Sequence, residues 1–102
     1  MNTLIGDIGN TVTKVCLIST QTLKIKKIIY FSKSEILSPK ALKLKFKKNI
    51  KSNSLHYKAL FSSVVPKYEL IFKKFLKQNY RIKLLEIKDK KINKIIKINI
   101  KK

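Results

Sequence analysis

Gly6-Asp7-Ile8-Gly9-Asn10-Thr11 is the stretch on which the reading of this chain turns. The chain has only two glycines, and both stand here, on either side of one carboxylate. Glycine is needed where the backbone takes φ > 0 or where another group must come very close to it. Leu4-Ile5 precedes the stretch, and Val12, Val15, Cys16, Leu17 and Ile18 follow it. The pattern reads as strand, tight polar turn, strand, with Asn10 suited to the turn. Such a turn offers backbone N–H groups, the hydroxyls of Thr11 and Thr13, and the carboxylate of Asp7. Those are the parts needed to hold a phosphate chain and its magnesium ion. The same residues also read as an ordinary β-hairpin with a Gly-Asn turn and a solvated Asp.

Outward from this stretch, the 102 residues suffice for one domain, residues 1–102, with a modest core. A hydrophobic fraction of 44% lies in the globular range. No apolar run approaches the ~20 residues of a membrane span, and the N-terminus lacks the zones of a signal peptide. The one cysteine, Cys16, cannot form an internal disulfide and reads as a buried small hydrophobe. The one histidine, His56, has no His or Cys companions, which argues against a zinc-type site. The formal net charge is +20, the usual footprint of nucleic-acid binding. Yet Arg81 is the single Arg among 25 basic residues, whereas base readout and phosphate clamping favour Arg. The excess of Lys, Ile and Asn also fits the codon bias of an AT-rich genome acting on a solvated surface. Drift and attraction to polyanions both remain open at this point.

Periodicity then orders the elements. Residues 2–9, 12–19 and 23–31 read as three strands of an antiparallel meander. Ser38-Pro39 reads as an N-cap followed by a first helical position. Leu42, Phe46 and Ile50 mark one face of that helix. Glu35 falls in a linker, and residues 51–54 form a polar loop, with His56 just beyond it. Residues 57–65 are a mostly apolar run suited to a strand buried on both faces. Pro66 opens a second helix whose apolar face is Tyr68, Ile71, Phe72, Phe75 and Leu76, with Asn79 as its stop. Residues 81–87 read as a further strand, Asp89-Lys90-Lys91 as a loop or short helical turn, and Ile96, Ile98 and Ile100 as an edge strand. The coarse order is β-β-β-α-β-α-β, an α/β arrangement.

The spacing of Asp7, Gly9, Thr11 and Lys14 resembles the first phosphate loop of the actin, hexokinase and sugar-kinase superfamily. Asp-Ile-Gly-Asn-Thr at an N-terminus looks like type III pantothenate kinase, and Ser62-Ser63-Val64-Val65-Pro66 resembles a second signature of that family. The resemblance implies a ribonuclease-H-like (actin-like ATPase) half. It implies transfer of the γ-phosphoryl group of ATP to pantothenate, the first step of coenzyme A synthesis. By position it assigns ATP-phosphate binding to Asp7, Ile8, Gly9, Asn10, Thr11, Val12, Thr13 and Lys14, with Asp7 near Mg2+. Ser62, Ser63 and Pro66 form a strand-end motif without an assigned contact. It further implies a monovalent cation (K+ or NH4+), a homodimer of the full-length protein and a cytoplasmic location. The lack of an apolar span points to no membrane, and the lysine-dominated charge to no nucleic acid as partner despite +20.

The family pattern continues with a Gly-x-Asp-Arg segment, whose Asp resembles the general base, and with a second loop of the Asp-x-Gly-Thr-Ala type. This sequence contains neither. Its acids after Asp7 are Glu35, Glu69, Glu86 and Asp89, none in a motif. The expectation is an N-terminal ATP-binding portion of a two-domain kinase, without catalytic residues of its own and inactive alone. The alternatives are a basic nucleic-acid-binding module, with Tyr30, Phe31, Tyr57, Phe61 and Tyr80 among lysines, or an inactive or regulatory relative.

Overall fold

The computed structural model describes residues 1–50 and 55–87. Strands β1 (Asn2–Ile8), β2 (Thr13–Ser19) and β3 (Ile25–Phe31) pair antiparallel in sequence order. Helices α1 (Lys33–Leu37) and α2 (Pro39–Asn49) then carry the chain back to β4 (Lys58–Ser63). Helix α3 (Pro66–Tyr80) leads to β5 (Lys83–Glu86). The sheet order is β3-β2-β1-β4-β5, and β4 runs parallel to both β1 and β5. Among the described residues the result is an α/β fold on a mixed sheet of five strands. Among the described residues, no helix is long and apolar enough to cross a membrane.

Helix α1 is the one described element that the expected order lacks. Ser32 and Glu35 form a capping box: the Glu35 N–H donates to Ser32 Oγ (3.3 Å), and the Ser32 N–H donates to Glu35 Oε1 (2.9 Å). Glu35 therefore closes a helix start rather than lying in a linker. It also pairs with Lys45 of α2 at 2.9 Å. Ser38 ends α1 and caps α2, its Oγ accepting from the Ala41 N–H at 3.2 Å. The expected loop at 51–54, the turn at 89–91 and the edge strand Ile96–Ile100 lie outside the described residues.

Strand boundaries differ by one or two residues at most ends, and one difference has a clear cause. Leu23, expected to open β3, sits instead in the preceding turn, with φ 57° and a side chain 70% exposed. Its N–H donates to Ser19 O (2.9 Å), and Ser19 N–H donates to Lys24 O (3.0 Å). Arg81 takes a similar left-handed conformation (φ 55°) as the C-cap of α3, two residues beyond Asn79, the expected stop, which lies inside the last turn of the helix. Glycine usually fills both kinds of position. Here one glycine, Gly6, stands within β1 and the other, Gly9, at the β1–β2 loop.

The sheet has one face packed by helices. Leu4, Ile8, Val15, Ile29, Phe31, Ala59, Phe61 and Leu84 point into it and meet Ile36 of α1, Leu42 and Phe46 of α2, and Phe72, Phe75 and Leu76 of α3. Phenylalanine rings tie the layers: Phe31 stacks on Phe46 at 5.2 Å, and Phe72 meets both Phe31 and Phe61 at 5.5 Å. Burial of rings of this size dominates the energetics of so small a core. The opposite face carries a smaller cluster, Cys16 and Ile18 with Ile5, Ile25 and Ile28. The expectation that β4 is buried on both faces therefore holds for one face only. Ala59 and Phe61 are fully buried on the helix side, and Lys58, Leu60 and Ser62 are half-buried on the other.

Two stability predictions follow from the backbone. A Cβ at Gly6 would stand 2.2–2.6 Å from three carbons of the Phe61 ring. Gly6→Ala should destabilise the fold by about 1–3 kcal/mol, through overpacking. Urea denaturation should show that loss shrinking when Phe61→Leu is added. Leu23→Gly should raise the denaturation midpoint, by about 0.5–1 kcal/mol in stability, because it relieves a left-handed residue that buries little.

Candidate functional site

The carboxyl ends of β1 and β4 lie side by side at the middle of the sheet. From β1 the chain moves one way to β2 and β3; after the helices it returns on the other side of β1 as β4 and moves on to β5. The gap between β1 and β4 is thus the point where the order of strands reverses. In open α/β sheets ligands bind in the crevice at the carboxyl ends of strands flanking such a point. Both sequence motifs end here. The parallel register pairs Asp7 with Ser62 and Ile8 with Ser63, and the Val64 N–H donates to Ile8 O at 3.1 Å.

The glycine-containing loop crosses from β1 to β2 over residues 9–12. The Gly9 N–H donates to Val12 O at 3.1 Å, closing a turn with Asn10 and Thr11 exposed at its tip. Neither glycine has positive φ. Of the two reasons for glycine, close approach is the one that applies: Gly6 faces the Phe61 ring, and a Cβ at Gly9 would lie 2.9 Å from Val12 O.

Side-chain alternation then divides the predicted residues between two faces. Asp7 pairs in register with Lys14 on one side and Ser62 on the other, and Lys14 pairs with Tyr30. Tyr30, Lys14, Asp7 and Ser62 therefore form a polar row across four strands, on the face away from the helices. The next row along the strands is apolar: Ile28, Cys16, Ile5, Leu60 and Leu85. Burial raises the Cys16 thiol pKa above its ordinary value, nearby Lys14 opposes that shift, and Asp7 adds to it. The thiol remains protonated and serves as packing.

Ile8 and Thr13 point the other way, into the helix-side core, and both are fully buried. Thr13 Oγ1 has no hydrogen-bond partner among the described residues. The two hydroxyls that the sequence offers to a phosphate are thus separated, with Thr11 exposed at the loop and Thr13 beneath it. Val12 is 39% exposed at the loop shoulder. Pro66 opens α3 and sets the turn out of β4. The paired serines also differ. Ser63 Oγ accepts from the Val65 N–H and donates to Val65 O, both at 3.0 Å. Ser62 Oγ has no such bond among the described residues, and neither does the half-buried Asp7 carboxylate.

A cavity of about 450 Å3 lies elsewhere, between α3 and β5, lined by Lys73, Lys77, Arg81, Ile82, Lys83 and Leu84. It presents no carboxylate, hydroxyl or glycine turn, so its chemistry is that of a basic surface depression. Phe31 and Phe61 are core residues, while Tyr30 and Tyr57 are exposed. His56 is occupied locally, its Nδ1 accepting from the Lys58 N–H at 3.2 Å. No group of three or more His, Cys, Asp or Glu among the described residues could hold a metal ion.

With this geometry in place, comparison with known proteins is decisive. A family model described as type III pantothenate kinase matches residues 3–102. The chain belongs to the type III pantothenate kinase family. A curated type III pantothenate kinase of Pelagibacter ubique (strain HTCC1062) is 41% identical over 100 residues. That alignment covers 95% of this chain and 38% of the relative, so the chain spans well under half the relative's length. In this member of the family the loop motif and the Ser-Ser-Val-Val-Pro motif meet at one pair of strand ends. Sequence reading had both motifs. It missed that Ser62 and Ser63 part company, a signal present in the period-2 alternation of β4.

The orphaned Thr13 hydroxyl yields a prediction. Thr13→Val should stabilise the fold by about 1 kcal/mol, since an unpaired buried hydroxyl is costly. Thermal denaturation measures the gain.

Proposed function

We propose that this chain is the ATP-phosphate-binding portion of a pantothenate kinase, acting in the phosphorylation of pantothenate to 4'-phosphopantothenate at the start of coenzyme A synthesis. The observation that carries the reading is the pairing of Asp7 with Ser62, which brings two distant family motifs to the carboxyl ends of adjacent parallel strands. The meander followed by helix-linked parallel strands is read as the ribonuclease-H-like half of an actin-like ATPase.

Phosphoryl transfer asks a protein for positioning and charge neutralisation rather than covalent chemistry. The residues here are suited to that. Gly9, Asn10 and Thr11 turn the backbone at an exposed tip, where N–H groups and small side chains can follow phosphate oxygens. Lys14 stands beside Asp7 on the same face as a cation for the phosphates. Ile8 and Thr13, both fully buried, anchor the loop from beneath, with Val12 exposed at its shoulder. A magnesium ion would supply charge neutralisation of the phosphate chain. Its fit is tested by Asp7, a half-buried carboxylate with no partner among the described residues, at the foot of the loop. Magnesium keeps several waters and commonly takes only one or two carboxylates besides substrate phosphates, so the absence of an acidic cluster among the described residues is compatible with it.

No Gly-x-Asp-Arg segment and no second phosphate loop occur in this sequence. The base for the pantothenate hydroxyl is assigned to the part of the family's length that this chain does not span. A monovalent cation (K+ or NH4+), dimeric assembly of the full-length enzyme and a cytoplasmic location belong to the same reading.

The test has two arms. The 102-residue chain should bind Mg2+-ATP weakly, with amide shifts confined to residues 7–14 and the end of β4, and Asp7→Asn should lose them. It should transfer no phosphate to pantothenate with Mg2+ and K+ present. Robust turnover by the chain alone would refute the division of labour. Shifts spread over the lysine-rich surface that vanish with modest salt would refute the site and favour general polyanion attraction.

A further inference from the structure

We propose that Ser62 is a binding residue for the nucleotide's divalent cation, its hydroxyl acting together with the Asp7 carboxylate on the metal or on a water bound to it. This rests on the phosphate-binding reading above and gives a role to a residue that the motif alone leaves without one.

Three observations carry it. First, the parallel register places Ser62 beside Asp7, and Phe61, its neighbour, faces Gly6 on the opposite side of the sheet. Ser62 and Asp7 therefore project from the same face, on strands separated by about 4.8 Å. That separation lets a hydroxyl and a carboxylate reach one hydrated cation. Second, the two serines of the motif are used differently. Ser63 is consumed by its own turn, bonding both the N–H and the carbonyl of Val65. Ser62 is left without a partner among the described residues although half-buried, and so is Asp7. Two adjacent half-buried oxygen groups without partners form a donor set suited to a hard cation, which prefers oxygen ligands. Third, the register neighbour of Asp7 on its other side is Lys14, a cation that cannot ligate metal. The oxygen set is thereby confined to the β1–β4 side, where the chain's strand order reverses.

The hydroxyl supplies orientation. A carboxylate alone leaves a hydrated magnesium ion free to swing about it, whereas a second oxygen one strand away fixes the direction in which bound phosphate must lie. Partners that orient a metal's immediate ligands commonly contribute 10–100-fold to metal affinity.

The experiment is a titration of the 15N-labelled chain with Mn2+-ATP, read as paramagnetic broadening of assigned amides, and with ATP in EDTA, read as chemical-shift change. For the wild type, Mn2+-ATP should broaden the amides of Asp7, Gly9 and Ser62 first. Ser62→Ala should weaken Mn2+-ATP binding about tenfold while leaving the metal-free ATP titration as it was. Ser62→Thr, which keeps the hydroxyl, should restore the metal-dependent affinity. A merely structural serine would shift both titrations together, and that result would overturn the proposal. Unchanged Mn2+-ATP binding in Ser62→Ala, with binding lost in Asp7→Asn, would overturn it too and leave the phosphate-binding reading standing. Absence of selective broadening in the wild type would overturn both. An amide spectrum of native dispersion for each variant excludes loss of fold as the cause.

Discussion

The contact between the Phe61 ring and the bare backbone of Gly6 is the constraint on which the other features depend. The ring occupies the volume where a side chain on β1 would stand. It lets β4 pair closely with β1 while presenting an aromatic surface to Phe72 of α3 at 5.5 Å. From Phe72 the contacts run to Phe31 and from there to Phe46 of α2. One missing Cβ thus joins the central parallel pair to the helical layer. It also sets which faces remain for chemistry. With Gly6 and Phe61 turned toward the helices, alternation turns Asp7 and Ser62 toward the other face.

That face is built in rows, and the rows divide the labour. Aliphatic side chains of β1, β3, β4 and β5 form the row nearest the site, and Cys16 of β2 sits buried among them with its thiol protonated. Immediately beyond it come Tyr30, Lys14, Asp7 and Ser62. A charge at the border of an apolar strip is less screened than one in bulk water. Asp7 is the one carboxylate in that row. In the proposed reading, the surrounding excess of lysine, +20 overall, would attract a polyphosphate at long range, and the loop tip and the strand ends would give the direction.

Much of this was legible in the residues. Ser38-Pro39 and Val65-Pro66 announced two helix starts. The i, i+3, i+4 spacing of α3 named its buried Phe72, Phe75 and Leu76, and the glycine pair marked the loop. Helix α1 escaped because five residues are too few to show a period; only the Ser32–Glu35 capping box could have revealed it. Leu23 and Arg81 hold left-handed positions that would ordinarily advertise themselves by glycine, so the turns they make carried no local signal. The pairing of β1 with β4 was beyond local pattern altogether, because parallel register between strands this far apart is fixed by the crossover and by Phe61 against Gly6. The different fates of Thr11 and Thr13, and of Ser62 and Ser63, were written in period-2 alternation, but which face held the site depended on that same pairing.

The parallel union of β1 and β4 has a kinetic side. The loop hairpin joins near neighbours and belongs to the class of events that complete in about 1–10 μs. Bringing Ser62 beside Asp7 requires closing a connection through β2, β3, α1 and α2, and contacts so distant in sequence form late. A nascent or partly unfolded chain can therefore display the glycine turn without possessing the site. In the proposed reading, a ligand bound at the strand ends would hold the pairing of β1 with β4, the most distant in sequence among the described strands, in place by mass action.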